Sequence, residues 1–289
     1  MSYIEQNYMQ HKIRVSAIQR LCLQDGPGVR TTVFLKGCYL ACPWCCNPET
    51  IRYDRNFFFI KDKSLCGTSK VCQSCELYGG KNLKGECPLG AIVNTFKDYD
   101  TEELYTLLER DASIYEKGGG VTFSGGEPLA QSESILQILQ LLKKEEINIA
   151  FETTLFAPRN NFLRLAPYVD YWLVDVKFQF GFITYLKHDI YKEDFARNLK
   201  DIQELNKQNV KYRMVITHQG IIKTEQIVTL FKKFNINNVE LLPCHQLGIN
   251  KYKQLGLKVP VYTAPTDKEL EVFKHELAEN QIISTSLSL

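Results

Sequence analysis

Cys38, Cys42 and Cys45 stand in the spacing C-x3-C-x2-C within Gly37-Cys38-Tyr39-Leu40-Ala41-Cys42-Pro43-Trp44-Cys45. Three thiolates on one short loop can ligate three irons of a four-iron cluster and leave the fourth without a protein ligand. An open iron is a place where a small molecule binds and is chemically attacked. A closed structural site needs a fourth cysteine or histidine nearby at ligand spacing. The near candidate, Cys46, directly follows a proposed ligand, and adjacent residues rarely ligate one centre. Soft thiolates favour the open iron–sulfur reading, with a zinc knuckle as its alternative.

A second set, Cys66, Cys72, Cys75 and Cys87, reads C-x5-C-x2-C-x11-C-P. Four sulfurs suit either a closed iron–sulfur cluster or zinc. Ser124-Gly125-Gly126-Glu127 follows an apolar run, and its glycines would let backbone approach a ligand closely. Asp175 and Lys177 are two apart on an expected strand, so both can face one mouth. The ammonium suits a carboxylate, and acidic groups suit an α-amino group or a cation. Taken alone, the pair is equally a buried ion pair, and the turn Asp25-Gly26-Pro27-Gly28 is an ordinary turn. Cys22 reads as a packed free thiol.

The elements that must position these groups alternate in type. Short apolar runs predict strands at Thr32–Lys36, Val121–Ser124, Ile147–Thr153, Tyr171–Lys177, Tyr212–Thr217 and Val239–Pro243. Apolar residues recurring at three- and four-residue steps predict helices near 101–115, 132–145, 193–208, 224–234 and 267–279. Thr101 and Thr266, each followed by acidic residues, mark helix starts. This α/β alternation predicts a parallel sheet, here a partial barrel of six units with its chemistry at the strands' C-terminal ends. Residues 53–95 break the rhythm and read as a cysteine-rich insertion between barrel parts 1–52 and 96–289.

The 289 residues are 44% hydrophobic, enough for a sizeable core, and the net charge of +2 gives no signal for nucleic acid or a membrane surface. No apolar run approaches the length of a membrane span, and Met1 to Lys12 lacks a signal-peptide core. A cytoplasmic location is the expectation, and ten cysteines there argue for metal ligation over disulfides.

Asp25-Gly26-Pro27-Gly28-Val29-Arg30, the cysteine loop, Asn47-Pro48-Glu49 and Gly118-Gly119-Gly120-Val121-Thr122-Phe123-Ser124-Gly125-Gly126-Glu127-Pro128 occur in this order. Together they resemble the radical S-adenosylmethionine (SAM) enzymes that activate glycyl radical enzymes, a family typified by pyruvate formate-lyase activating enzyme. The resemblance runs to about residue 280 and omits about 53–95. It implies an anaerobic radical SAM oxidoreductase with a 4Fe-4S cluster on Cys38, Cys42 and Cys45. Gly125, Gly126 and Glu127 would hold the methionine part of SAM, with Trp44, Cys45, Cys46, Asp175, Val176 and Lys177 around the cofactor. Glu152, Thr153 and Asp175 would surround its amino group or a monovalent cation. His245 lies in Leu242-Pro243-Cys244-His245-Gln246-Leu247-Gly248, similar to the family's Leu-Pro-Tyr-His-x-Leu-Gly, and would contact the nucleoside. Cys244 replaces the usual tyrosine, and Arg213 is a weaker candidate for the same pocket.

Asp25 would line the groove for the partner's glycine loop. The family context also favours one auxiliary 4Fe-4S cluster on Cys66, Cys72, Cys75 and Cys87, whose Cys-Pro ending is similar to a ferredoxin's. The implied partners are a glycyl radical enzyme and a flavodoxin or ferredoxin donor. Another radical SAM reaction, or a non-catalytic iron–sulfur carrier, are the competing readings, and SAM-dependent 5′-deoxyadenosine formation excludes the carrier.

Overall fold

Alternation of apolar and polar residues builds the central sheet. The computed structural model describes residues 12–54, 56–64, 87, 89–115, 118–177, 192–205 and 209–286. Their strands are β1 (Ile13–Cys22), β2 (Arg30–Leu35), β3 (Phe57–Phe59), β4 (Ile92–Asn94), β5 (Lys97–Tyr99), β6 (Gly120–Gly125), β7 (Asn148–Thr153), β8 (Tyr171–Asp175), β9 (Val210–Ile216), β10 (Asn238–Pro243) and β11 (Ile283–Ser286). The helices are α1 (Thr101–Glu109), α2 (Ser132–Lys144), α3 (Arg159–Leu165), α4 (Lys192–Leu205), α5 (His218–Ile221), α6 (Thr224–Lys233), α7 (Ile249–Gln254) and α8 (Asp267–Glu279).

The main sheet has the order β11-β10-β9-β8-β7-β6-β2-β1-β5. From β2 to β11 every pairing is parallel, and β1 runs antiparallel to both β2 and β5. The result is a partial (β/α) barrel. All six expected strands are present, and β11 adds a seventh parallel strand. One face of the alternation is apolar: Phe123, Phe151 and Trp172 stack 5.8 and 5.7 Å apart, and Phe162 of α3 packs 5.7 Å from Trp172. Each such ring is worth roughly 3–5 kcal/mol against truncation to alanine. The other face carries Thr122, Ser124, Glu152, Asp175 and Arg213, whose polar side chains turn to the barrel interior.

Helix α8 starts where expected, with a capping box between Thr266 and Glu269. Helix α1 starts at Thr101 as expected, capped by Asp100, whose Oδ1 accepts the N–H of Glu103 at 2.7 Å. It stops at Glu109 rather than reaching 115. Asp111 turns inward to accept Arg20 Nε at 2.8 Å and Thr31 Oγ1 at 2.9 Å, and a 3-10 turn at Ala112–Ile114 follows. Strand β1 escaped the sequence reading because, of ten residues, only Ile13, Val15 and Cys22 are buried.

Strands β3 and β4 form a two-stranded antiparallel ribbon pairing Phe57 with Asn94 and Phe59 with Ile92. Below the ribbon, Thr95 N–H donates to the Asn56 carbonyl at 3.3 Å. The fully buried Lys36 at the end of β2 donates to Glu49 O and Asn56 Oδ1, both at 2.6 Å, and to Thr95 Oγ1 at 3.0 Å. Burial without a directly paired carboxylate lowers its ammonium to a pKa of about 8. Cys66, Cys72 and Cys75 lie outside the described residues. Among those described, no helix is long and apolar enough to cross a membrane.

Candidate active site

A cavity of about 310 Å³ opens at the C-terminal ends of the parallel strands. Cys38, Cys42, Cys45, Cys46 and Trp44 form one side of it. The loop that carries them starts at Gly37 and is pinned by backbone bonds from Gly37 N to Thr50 O (2.8 Å) and Cys38 N to Ile51 O (3.2 Å). Within it, Cys45 N donates to Cys42 O at 3.1 Å and Leu40 N to Cys38 Sγ at 3.4 Å. Burial pushes the Cys42, Cys45 and Cys46 thiols up, Cys45 well up, and the neighbouring thiols add mutual repulsion at Cys45. Such a cluster of sulfurs ionises together when a bound metal cation supplies the compensating charge. A four-iron cluster takes one thiolate per iron, so its ligands need not converge on a single point.

Gly125 and Gly126 line the cavity at the end of β6, and their glycine identity serves the cysteine loop. A Cβ on Gly126 would lie 2.2 Å from the Gly37 carbonyl oxygen, and one on Gly125 would lie 2.4 Å from Leu35 N. Gly125 also has φ +107°. Close approach of backbone is thus required, but by Gly126 to the loop's own backbone and by Gly125 to the end of β2. Glu127 departs from the expected position. It is fully buried behind the cavity, and its carboxylate accepts Thr153 Oγ1 (2.6 Å), Thr154 N (2.8 Å) and Thr154 Oγ1 (2.7 Å). Burial pushes its pKa up, and those donors hold it down. With both oxygens committed, Glu127 fixes the end of β7 and has no oxygen to offer a ligand. Val176 is likewise fully buried, its N–H donated to Arg213 O at 2.8 Å.

Charge concentrates on the opposite wall. Arg213 Nη1 donates to Glu152 Oε1 at 2.8 Å, Ser124 Oγ donates to Glu152 Oε2, and Lys177 Nζ pairs with Asp175 Oδ2 at 2.9 Å. Burial pushes Glu152 up, Arg213 opposes that, and Asp175 adds to it. Lys177 is held above the ordinary lysine value: burial lowers it, but Asp175 more than offsets that. Asp175 Oδ1 is buried with no hydrogen-bond partner among the described residues. Thr153 also lines the cavity, with its hydroxyl committed to Glu127.

Cys244 and His245 close the rim after β10. Burial first, then the neighbouring Cys46, raises the Cys244 thiol to about 11. Gly248 sits against Cys46, where a Cβ would be 2.7 Å from the Cys46 carbonyl oxygen. From α7, Lys251 Nζ reaches Asn47 Oδ1 and Glu49 Oε1, both at 2.7 Å, and Tyr252 OH donates to Cys45 O at 2.8 Å. Motif reading gave these residues no role; the lysine–tyrosine pair six and seven residues after His245 was the available signal.

The Asp25 turn folds into the barrel from below. Asp25 Oδ2 accepts Thr32 Oγ1 and its carbonyl accepts Thr122 Oγ1, both at 2.6 Å, while Gln24 reaches the cavity. Arg30, fully buried, organises the turn. Its guanidinium donates to Thr122 Oγ1 (2.6 Å) and to the carbonyls of Val121 (2.8 Å), Pro27 (2.9 Å), Asn148 (3.2 Å) and Gly118 (3.3 Å). Burial lowers its pKa to about 10.

The site therefore combines a loop fit for an open iron–sulfur cluster with a wall fit for a zwitterionic amino acid. A family model described as a 4Fe-4S single cluster domain matches residues 24–182. The choline trimethylamine-lyase activating enzyme of Oleidesulfovibrio alaskensis is 32% identical over 91% of this chain and 94% of its own. The pyruvate formate-lyase 2-activating enzyme of Escherichia coli is 32% identical over 92% of this chain and 89% of its own. Among solved structures, QueE from Escherichia coli shares the fold, with a TM-score of 0.51, 13% identity and full coverage of both chains. The chain belongs to the radical SAM family of glycyl radical enzyme activating enzymes.

Proposed function

We propose that the residues around this cavity bind SAM in one orientation and present a partner's glycine to it from the Asp25 side. The protein is an activase. With a 4Fe-4S cluster and SAM bound, an electron delivered to the site cleaves SAM to methionine and a 5′-deoxyadenosyl radical, which takes a Cα hydrogen from a glycine of the partner enzyme. Cys38, Cys42 and Cys45 would hold the cluster. Asp175 would accept from the α-amino group of SAM, and Lys177 would balance its carboxylate. Glu152 and Asp175 repel one another, so the same wall suits a monovalent cation. His245 and Trp44 would border the nucleoside. Arg213 opposes the burial that raises Glu152, and Glu127 holds the wall from behind.

The partner is a glycyl radical enzyme, and the finer assignment is a transient complex through its glycine loop. An auxiliary 4Fe-4S cluster on Cys66, Cys72, Cys75 and Cys87 is part of the same reading. Burial pushes the Cys87 thiol up, but the backbone amides of residues 89–92 leave it below its ordinary value, which favours the thiolate. A flavodoxin or ferredoxin would supply the electron.

The charged wall of Glu152, Asp175, Lys177 and Arg213, lining the same cavity as Cys38, Cys42 and Cys45, carries the reading. Anaerobic incubation of reconstituted protein with SAM and dithionite tests it. Cys42→Ala is expected to abolish 5′-deoxyadenosine formation and Cys46→Ala to retain it. Normal cleavage by Cys42→Ala would overturn the ligand assignment. A glycyl radical signal by electron paramagnetic resonance, on adding a candidate partner, tests the partner reading.

A further inference from the structure

We propose that Lys251 and Tyr252 are positioning residues that clamp the third cysteine of the loop to the rim segment carrying His245. The inference rests on the reading of Cys45 as a cluster ligand. The two halves of the cysteine loop are held differently. Its start is fixed by neighbouring strands and turns, through Gly37 N to Thr50 O and Glu127 N to Gly37 O. Its end, from Trp44 to Glu49, is gripped from outside by residues more than 200 positions later in the chain.

The grip is nearly continuous. Trp44 meets the ring of Tyr262 edge-on at 5.8 Å, Tyr252 OH caps the Cys45 carbonyl, and Gly248 abuts Cys46. Lys251 then takes Asn47 and Glu49 together. Glu49 is 5% exposed, and its second oxygen, Oε2, has no hydrogen-bond partner. Lys251 is therefore the cation facing a buried carboxylate, and removing it strands that charge. The main chain at Glu49 is held from the opposite side by Lys36. Residue 49 is thus fixed through both its carbonyl and its side chain.

His245 lies six residues before Lys251, on the same rim segment. A ligand that binds His245 and the loop's open side at once needs the two at a set separation, and the clamp supplies that separation. Tyr252 cannot reach Cys45 O without its hydroxyl, and Lys251 cannot neutralise Glu49 without its charge. Each contact is removable by one conservative change.

The experiment uses the metal-free full-length chain first. Lys251→Met, Lys251→Arg and Tyr252→Phe are compared with the parent by iodoacetamide labelling and mass-spectrometric mapping. Loss of a charge-assisted bond should raise local opening and hence labelling of Cys45 about tenfold in Lys251→Met. Tyr252→Phe should raise it a few-fold, and Lys251→Arg should restore most of the protection. Cys22, buried at the far end of β1, should label at the parent's rate and so report any general unfolding. In reconstituted protein, the same two variants should shift the SAM-induced paramagnetic signal of the reduced cluster and raise the KM for SAM. Unchanged Cys45 labelling in Lys251→Met, or equal increases at Cys45 and Cys22, would overturn the clamp. Failure of the ligand reading shows separately, as full iron content and normal SAM cleavage in Cys45→Ala.

Discussion

The floor of the cavity and its rim are secured by opposite physical means. At the floor, Arg30 is wholly buried and spends its guanidinium on one hydroxyl and four backbone carbonyls, with no carboxylate bonded to it among the described residues. At the rim, Lys251 is about a third exposed and holds the buried Glu49 by an ion pair. The first arrangement is dry, neutral in its acceptors and unable to slip. The second is reached by solvent and can open without disturbing the sheet.

The largest effect that separates the two is expected at the floor. Arg30→Met leaves several buried carbonyls without donors, costing on the order of 3–5 kcal/mol. A lower urea midpoint with unchanged slope checks this. Arg30→Lys should recover little, because a lysine cannot spread its donors over five acceptors. A parent-like midpoint for Arg30→Met would erase the distinction between floor and rim.

Next comes Asp25. Asp25→Asn keeps the Thr122 contact to its carbonyl but alters the carboxylate offered toward the partner's peptide. Glycyl radical formation should fall about tenfold, the equivalent of losing one charged hydrogen bond, while uncoupled SAM cleavage changes little. Equal losses in both assays would make Asp25 a structural residue of the floor. The smallest effect concerns salt. Raising ionic strength to about 1 M shortens the Debye length to about 3 Å and should weaken the exposed side of the Lys251–Glu49 pair by less than about 1 kcal/mol. Cys45 labelling should rise slightly, with Cys22 unaffected.

Motifs in the sequence reached the floor turn, the cysteine loop and the charged wall, because each is contiguous or lies two residues apart on one strand. Strand periodicity likewise placed all six barrel strands. What it did not reach depends on distance in the chain. Glu127 belongs to a recognisable motif, yet only the packing of Thr153 and Thr154 against it reveals a carboxylate with no free oxygen. Gly126 suggested room for a ligand, whereas the missing Cβ faces Gly37. Strand β1 and helix α7 were hidden by weak alternation and short length. Lys251 gains meaning only once the rim folds over Asn47.

The ribbon under the cysteine-rich insertion has a consequence for how such chains diversify. Because Asn56 and Thr95 already meet at its base, the barrel senses two adjacent ends and not the length of chain between them. Closing a longer excursion adds an entropy that grows only logarithmically with its length. The junction therefore works as a socket: a different cargo can be spliced in there while Lys36 still grips both ends and the loop beside it.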